Sequence, residues 1–214
     1  MADEDKKDIA SLLPKQIILC RHVEKGKDKS KLGACVRGLA RANYIAGMFL
    51  TPNPIFETPN MIYVFQKKNR KDPKLNRSMQ SAAPLIQAGH YKSEQVNSEF
   101  ENDDKGTLKM IDSMFSPNNA GKVILCFWEH KILPKIVREI GKRMDKDKPV
   151  FKDFLEWNEK PWKGKDDPDL YSLTIVINIA STSLVGINQS NNYSKDGSML
   201  YPDDKSWSKI LFKM

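Results

Sequence analysis

Three short apolar runs do most to limit the folds open to this chain. They are "QIILC" (16–20), "MIYVF" (61–65) and "KVILCFW" (122–128), and each is typical of a buried strand. Segments with helical periodicity lie between them. Strands that alternate with helices build a parallel or mostly parallel sheet covered by helices. The sequence therefore predicts an α/β protein, a three-layer α/β/α sandwich with a mostly parallel central sheet.

The helical segments have recognisable faces and ends. Residues 34–49 carry Val36, Leu39, Ala40, Ala42 and Ile45 at helical spacing, with Arg37 and Arg41 between them, which predicts an amphipathic helix. Residues 76–89 begin with a suitable cap and end in glycine, and 131–143 read as a third helix. We also expect helices at 106–115 and 150–157, a weak strand at 91–96, and a closing hairpin at 170–179 and 183–188.

The length and composition fit one globular domain. A chain of 214 residues with 40% hydrophobic residues can bury a substantial core. We expect residues 1–13 to be a disordered tail and 14–214 to form the domain. The first residues lack the pattern of a secretory signal, and no apolar run approaches the roughly 18 residues of a membrane span. We therefore expect a cytoplasmic protein without a membrane partner.

The positive charge does not by itself indicate a nucleic-acid partner. The net charge is +8, but the basic residues are dispersed among acids along the chain. The densest run, "KKNRKDPK" (67–74), contains no aromatic residues on which bases could stack. A solvated loop explains this run better than a nucleic-acid platform, and a basic nucleic-acid-associated protein is the least favoured hypothesis.

Two of the predicted strands end in adjacent ionisable residues. Arg21 and His22 follow "QIILC", and Glu129 and His130 follow "KVILCFW"; only three histidines occur in the chain. In open α/β sheets, ligands bind beyond the carboxyl ends of the strands. The two pairs therefore predict a site at this edge, although a solvated strand end is the alternative for either pair alone.

Four ordered motifs strengthen the prediction of a site. They are "RHVEK" (21–25), "GLARA" (38–42), "NRSMQSAAPL" (76–85) and "ILCFWEHKILPKI" (124–136). Together they resemble the histidine phosphatase superfamily, which has the phosphoglycerate mutase-like fold. The similarity is closest to small uncharacterised members that read Arg-His-Ala-Glu-Lys at the first motif and Trp-Glu/His-His at the last. The resemblance covers roughly residues 15–205 and implies that fold here.

The resemblance also implies roles for individual residues. His22 would be the catalytic nucleophile that forms a phosphohistidine. Arg21 and Arg77 would bind the phosphoryl oxygens, and His130 would donate a further hydrogen bond to them. Glu24 and Lys25 would orient the loop around the nucleophile without touching the substrate. No metal or other cofactor is implied.

The general acid is the position with the most alternatives. Glu129 is favoured because it precedes His130 in the way that Arg21 precedes His22, and Glu101 and Glu99 of "SEFENDD" (98–104) are alternatives. Arg70 is a rival phosphate ligand outside the motif. His90 follows a glycine at a predicted helix end and is expected at the surface.

The resemblance therefore implies a metal-independent phosphomonoester hydrolase acting on a small phosphorylated substrate. A mutase-type phosphotransferase must keep water from its phosphohistidine, and the chain has no evident long insertion that could cover one. The phosphatase is therefore favoured over the mutase. A catalytically inactive phosphate-binding or regulatory protein of the same fold is the other alternative. The sequence does not indicate the substrate or the oligomeric state.

Overall fold

The structure is a computed structural model. It describes residues 12–24, 33–52, 54, 56–65, 77–144 and 173–179, and the backbone of two further strands at 183–188 and 208–211. The predicted helix at 150–157, the basic run at 67–74, Lys25, Arg70 and Asn76 lie outside the described residues, as does most of the predicted tail. None of the helices in the described part is both long and apolar enough to cross a membrane.

Seven strands form one sheet in the order β3-β2-β4-β1-β5-β6-β7. Their bounds are β1 Gln16–Arg21, β2 Met61–Val64, β3 Val96–Asn97, β4 Val123–Trp128, β5 Leu173–Asn178, β6 Ser183–Asn188 and β7 Ser208–Leu211. The first four strands are mutually parallel, whereas β5, β6 and β7 each run antiparallel to the preceding neighbour in the sheet. Five strands therefore point one way, which confirms the mixed, mostly parallel α/β prediction.

Helices cover both faces of the sheet. They are α1 Val36–Leu50, α2 Arg77–Ala88, α3 Asp104–Met114 and α4 Leu133–Arg143. Residues of α1 and α2 form one apolar cluster with alternate strand residues, and residues of α3 and α4 form the other. All six residues of β4 are buried because both of its faces are covered. This explains why its sequence is a continuous apolar run.

The strand register brings three carboxyl ends to one edge. Arg21 at the end of β1 lies opposite Trp128 at the end of β4. Val64 at the end of β2 lies opposite Phe127. The residues that follow β1, β2 and β4 therefore emerge side by side, and this edge is where the predicted site residues must be sought.

The predicted orientation of α1 is wrong at three positions. Val36 and Leu39 were expected on its apolar face, but they are 85% and 44% exposed. Arg41, expected between the apolar positions, is fully buried. The helix turns Ala42 and Ile45 toward the sheet, and Arg41 is buried because it has a charged partner in the loop after β1.

Smaller differences arise at the ends of elements. The weak strand predicted at 91–96 is reduced to the two-residue β3, Val96–Asn97, which follows a 3-10 turn at Ser93–Gln95. Helix α3 begins two residues before the predicted start, because the Asp103 side chain accepts a hydrogen bond of 2.6 Å from the Gly106 N–H. Strand β7 had no counterpart in the sequence prediction, whereas the hairpin of β5 and β6 is confirmed.

Candidate functional site

His22 lies directly after β1, at the edge where the strands end. Its backbone N–H donates to the Trp128 carbonyl at 3.0 Å, so the residue continues the ladder between β1 and β4. The side chain is 2% exposed, and its Nδ1 lies 3.0 Å from the Val23 carbonyl oxygen. Because a carbonyl oxygen only accepts, Nδ1 must carry the proton in this contact. A neutral His22 therefore keeps the lone pair on Nε2.

The surroundings of His22 favour its neutral form. Burial lowers the pKa of His22 well below its ordinary value of 6.5, and the charge of Arg77 lowers it further. The hydrogen bond to Val23 opposes this effect, whereas the charges of Arg21 and His130 reinforce it. His22 is consequently an unprotonated imidazole at neutral pH, which is the form that can act as a nucleophile.

Two arginines contribute positive charge at this edge. Arg21 is the last residue of β1 and is 3% exposed, and Arg77 is the first residue of α2. The next residue, Ser78, fixes this end of α2: its hydroxyl donates to the Phe127 carbonyl at 2.5 Å and accepts the Phe65 N–H at 3.2 Å. Arg77 is thereby anchored to the ends of β2 and β4, and its charge acts on both His22 and His130.

His130 and Glu129 follow the end of β4. Burial, followed by the charge of Arg21, lowers the pKa of His130 to about 4, and Glu129 opposes this shift. The Nδ1 atom of His130 is buried and has no hydrogen-bond partner among the residues that the structure describes. The Glu129 carboxylate accepts a hydrogen bond of 2.6 Å from the Asn102 amide. Thus His130 has an unused polar atom at the site, and Glu129 is held in one orientation.

The alternative acids Glu101 and Glu99 lie on the loop that contains Asn102. They line a cavity of about 360 Å³ at the start of α3, together with Phe100, Asp103, Lys105, Gly106 and Lys109. The hydrogen bond between Asn102 and Glu129 connects this loop to the end of β4. Glu129 is therefore the candidate acid next to His130, and the other two belong to the adjoining cavity.

Glu24 takes part in an ion pair that holds the loop after β1. Its carboxylate accepts three hydrogen bonds of 2.7–3.0 Å from Arg41 of α1, while Arg37 lies 3.8 Å away. Gly38 lets α1 approach closely, because a Cβ atom there would lie 2.6 Å from the Glu24 carbonyl oxygen. The loop that carries His22 is thus fixed to α1 by both charge and close packing.

The sequence predicted that the residues after β1 and β4 lie at this edge of the sheet. It did not predict the contacts of Arg41, Ser78 and Ser81 that hold them there. Arg41 was expected between the apolar positions of an amphipathic helix, and nothing in the spacing of Arg41 and Glu24 indicated their contact. Ser78 and Ser81 lay inside a quoted motif, but serine in a helix gives no signal of a tertiary hydrogen bond. His90 is exposed in the turn that ends α2, with φ of 52°, so it lies at the opposite end of that helix from Arg77.

No metal centre is evident in the part of the chain that the structure describes. No group of three or more His, Cys, Asp or Glu side chains there could hold a metal ion. The positive charge that acts on His22 comes chiefly from Arg77 and Arg21 instead. The arrangement can bind an anion next to an unprotonated nitrogen nucleophile.

Comparisons with known proteins give distant structural matches. No family model matches the chain, and no curated protein matches it. Two solved structures are similar: proteins with the provisional name phosphohistidine phosphatase SixA from Nakamurella multipartitia and from Agrobacterium tumefaciens. The first has 12% identity and a TM-score of 0.46 over 77% of this chain and 85% of that one. The second has 13% identity and a TM-score of 0.44 over 78% and 92%. At these values neither match assigns a family or an activity to this chain.

Proposed function

We propose that the protein is a phosphomonoester hydrolase that acts through a phosphohistidine on His22. One observation carries the proposal: His22 is buried and neutral, and the hydrogen bond from its Nδ1 to Val23 leaves Nε2 as the free nucleophile. The charges of Arg21 and Arg77 act on the same imidazole. A buried nucleophile on which two guanidinium charges act suits a dianionic phosphate better than a neutral substrate.

In the first step, Nε2 attacks phosphorus and the bond to the ester oxygen breaks. The electron pair of that bond moves to the leaving oxygen, which takes a proton from Glu129 in its acid form. Arg21 and Arg77 stabilise the charge on the three equatorial oxygens, because forked guanidinium donors match their geometry. His130 donates one further hydrogen bond to these oxygens.

In the second step, water attacks the phosphohistidine. Glu129, now a carboxylate, takes the proton of the water, and the electron pair of the P–N bond returns to Nε2. Inorganic phosphate leaves and His22 is again neutral. The amide of Asn102 keeps Glu129 in place, and Glu101 and Glu99 are the next candidates for its role. Arginine side chains supply the positive charge throughout, so we propose that no metal takes part.

Hydrolysis of p-nitrophenyl phosphate in the presence of EDTA tests the proposal. We compare the wild type with His22→Ala and with His90→Asn, a matched control in which an exposed histidine is replaced by a residue that tolerates positive φ. We expect turnover in the wild type and in His90→Asn, and loss of turnover in His22→Ala. Equal turnover in all three proteins would rule out His22 as the nucleophile.

Trapping of the intermediate distinguishes hydrolysis from other outcomes. We expect rapid mixing with labelled substrate to give an acid-labile label on the wild type and none on His22→Ala. Transfer of the label to an added alcohol in preference to water would indicate a phosphotransferase of the mutase type. A label that forms but is never released would indicate a phosphate-binding or regulatory protein. Either result would overturn the hydrolase assignment and leave His22 as the phosphorylated residue.

A further inference from the structure

The backbone of Val23, directly after His22, uses both of its polar groups in hydrogen bonds to side chains, one local and one tertiary. The Val23 carbonyl accepts from His22 Nδ1 at 3.0 Å, and the Val23 N–H donates to the Ser81 hydroxyl at 2.9 Å. Val23 is fully buried, so water cannot replace either partner. The Val23 carbonyl sets the tautomer of His22. The position of this carbonyl therefore depends on Ser81, which is the partner of the Val23 N–H.

Ser81 connects this backbone to the first turn of α2. Its hydroxyl donates to the Arg77 carbonyl at 2.6 Å while it accepts from Val23. One buried oxygen atom thus contacts both the residue after the nucleophile and the residue that carries a phosphate-binding guanidinium group. The hydroxyl has a fixed direction, because its single proton is used toward Arg77.

We propose that Ser81 is a positioning residue that holds Val23 so that His22 keeps its proton on Nδ1 and its lone pair on Nε2. The proposal rests on the proposed function only for its kinetic consequence. Ser81 does not contact the substrate; it acts through the Val23 backbone.

The loop after β1 is also held by α1, at the residue that follows Val23. Glu24 is fixed to α1 through Arg41, and its carbonyl accepts the Cys35 N–H at 3.0 Å. The segment 22–24 is therefore held by α1 after Val23 and by α2 at Val23. Removal of the Ser81 hydroxyl leaves a buried N–H without a partner, and the backbone dihedrals on both sides of the Val23 Cα must change to relieve this, which moves the carbonyl as well as the N–H. The Val23 carbonyl then leaves Nδ1, and the tautomer with the proton on Nε2 becomes accessible. That tautomer cannot attack phosphorus.

Nuclear magnetic resonance of ¹⁵N-histidine-labelled protein tests the tautomer directly, without substrate. Only three histidines need assignment. At pH 7.5 we expect wild-type His22 to be neutral with the proton on Nδ1, and Ser81→Ala to show a substantial fraction with the proton on Nε2. Ser81→Thr retains a hydroxyl and should restore the wild-type tautomer. An unchanged tautomer in folded Ser81→Ala would overturn the proposal.

Ser78→Ala is the matched control. Ser78 is another buried serine of α2 whose hydroxyl makes two hydrogen bonds, but its partners are the backbone groups of Phe65 and Phe127. We expect a similar loss of stability with the His22 tautomer retained. If both variants shift the tautomer equally, general loosening of α2 is the cause and the role of Ser81 is refuted. If Ser81→Ala does not fold, Ser81→Cys, with its weaker acceptor, should show a partial shift; no shift would refute the proposal.

The kinetic arm separates this proposal from the proposed function. If the protein hydrolyses p-nitrophenyl phosphate, we expect kcat of Ser81→Ala to fall about 100-fold, because a displaced nucleophile loses its alignment. KM should stay near the wild-type value, since the phosphate ligands are retained. A raised KM with unchanged kcat would contradict positioning of the nucleophile. If the wild type has no turnover, the proposed function fails, and the tautomer measurement still decides the role of Ser81.

Discussion

Gly38 and Gly47 both lie in α1. We expect alanine at these two positions to change the stability of the protein in opposite directions. A Cβ atom on Gly38 would lie 2.6 Å from the Glu24 carbonyl oxygen and 3.1 Å from the Glu24 nitrogen. At Gly47, nothing lies within 4 Å of the added atom. The two substitutions share the same change in composition and the same helix, so their difference isolates the contact between α1 and the loop after β1.

The magnitudes follow from the geometry. Ordinary contact begins at 3.4 Å, so α1 or the loop must move by about 0.8 Å to accept Gly38→Ala. The obstructing atoms are backbone and cannot rotate away. Overpacking costs about 1–3 kcal/mol, whereas alanine gains at most about 1 kcal/mol of helix propensity. We therefore expect Gly38→Ala to lower the free energy of unfolding by about 1–2 kcal/mol, and Gly47→Ala to raise it by about 0.5–1 kcal/mol.

Thermal unfolding measures the change in stability, and turnover measures the change in activity. For a chain of this length, these values correspond to a fall in Tm of about 2–8 °C for Gly38→Ala and a rise of about 1–4 °C for Gly47→Ala. The forced shift also moves Glu24 relative to Arg41, so kcat should fall in Gly38→Ala and stay constant in Gly47→Ala. A Gly38→Ala protein as stable and as active as Gly47→Ala would refute the close-packing argument.

Three further predictions concern charge. Arg41→Met should lower the free energy of unfolding, measured by urea denaturation, by at most about 3–5 kcal/mol, because the Glu24 carboxylate loses its hydrogen-bonded partner and keeps only Arg37 at 3.8 Å. Addition of Glu24→Gln should restore part of this loss, and strict additivity would contradict the pairing. The pKa values of His22 and His130 are lowered by folding, so the unfolded chain binds more protons below pH 6.5 and stability should fall as the pH drops from 6.5 toward 4. His130→Gln should flatten that dependence, and an unchanged slope would argue against burial of this imidazole. Arg77→Met should weaken inhibition by orthovanadate about 10–100-fold, as expected for loss of charged hydrogen bonds, and unchanged inhibition would remove Arg77 from the phosphate site.

The elements were predictable where one physical signal dominated. Strand β4 is buried on both faces, so its continuous apolar run was enough to predict it as a strand. The same holds for the apolar runs of β1 and β2. The residues after β1 and β4 could be placed at one edge of the sheet, because the carboxyl ends of parallel strands lie at the same edge. The sequence could therefore predict that His22 and His130 lie at one edge of the sheet.

The missed features depend on tertiary contacts. Arg41 has the composition of an exposed helix position, and only its pairing with Glu24 makes burial favourable. Val36 and Leu39 have the composition of core residues, but the rotation of α1 is set by Gly38 against the loop. The hydroxyl of Ser81 depends in the same way on an N–H that is far away in sequence. Local periodicity carries no information about such partners.

The central position of β1 has a consequence for the synthesis of the protein. Gln16 pairs with Val123 on one side and with Asn178 on the other. At translation rates of about 5–20 residues per second, β1 is made roughly 5–20 s before β4 and about 8–30 s before β5. During that interval "IILC", which is almost fully buried in the folded protein, has neither of its neighbours. We therefore expect nascent chains that stop short of β4 to be bound by chaperones or to aggregate, and productive folding to begin only when β4 leaves the ribosome.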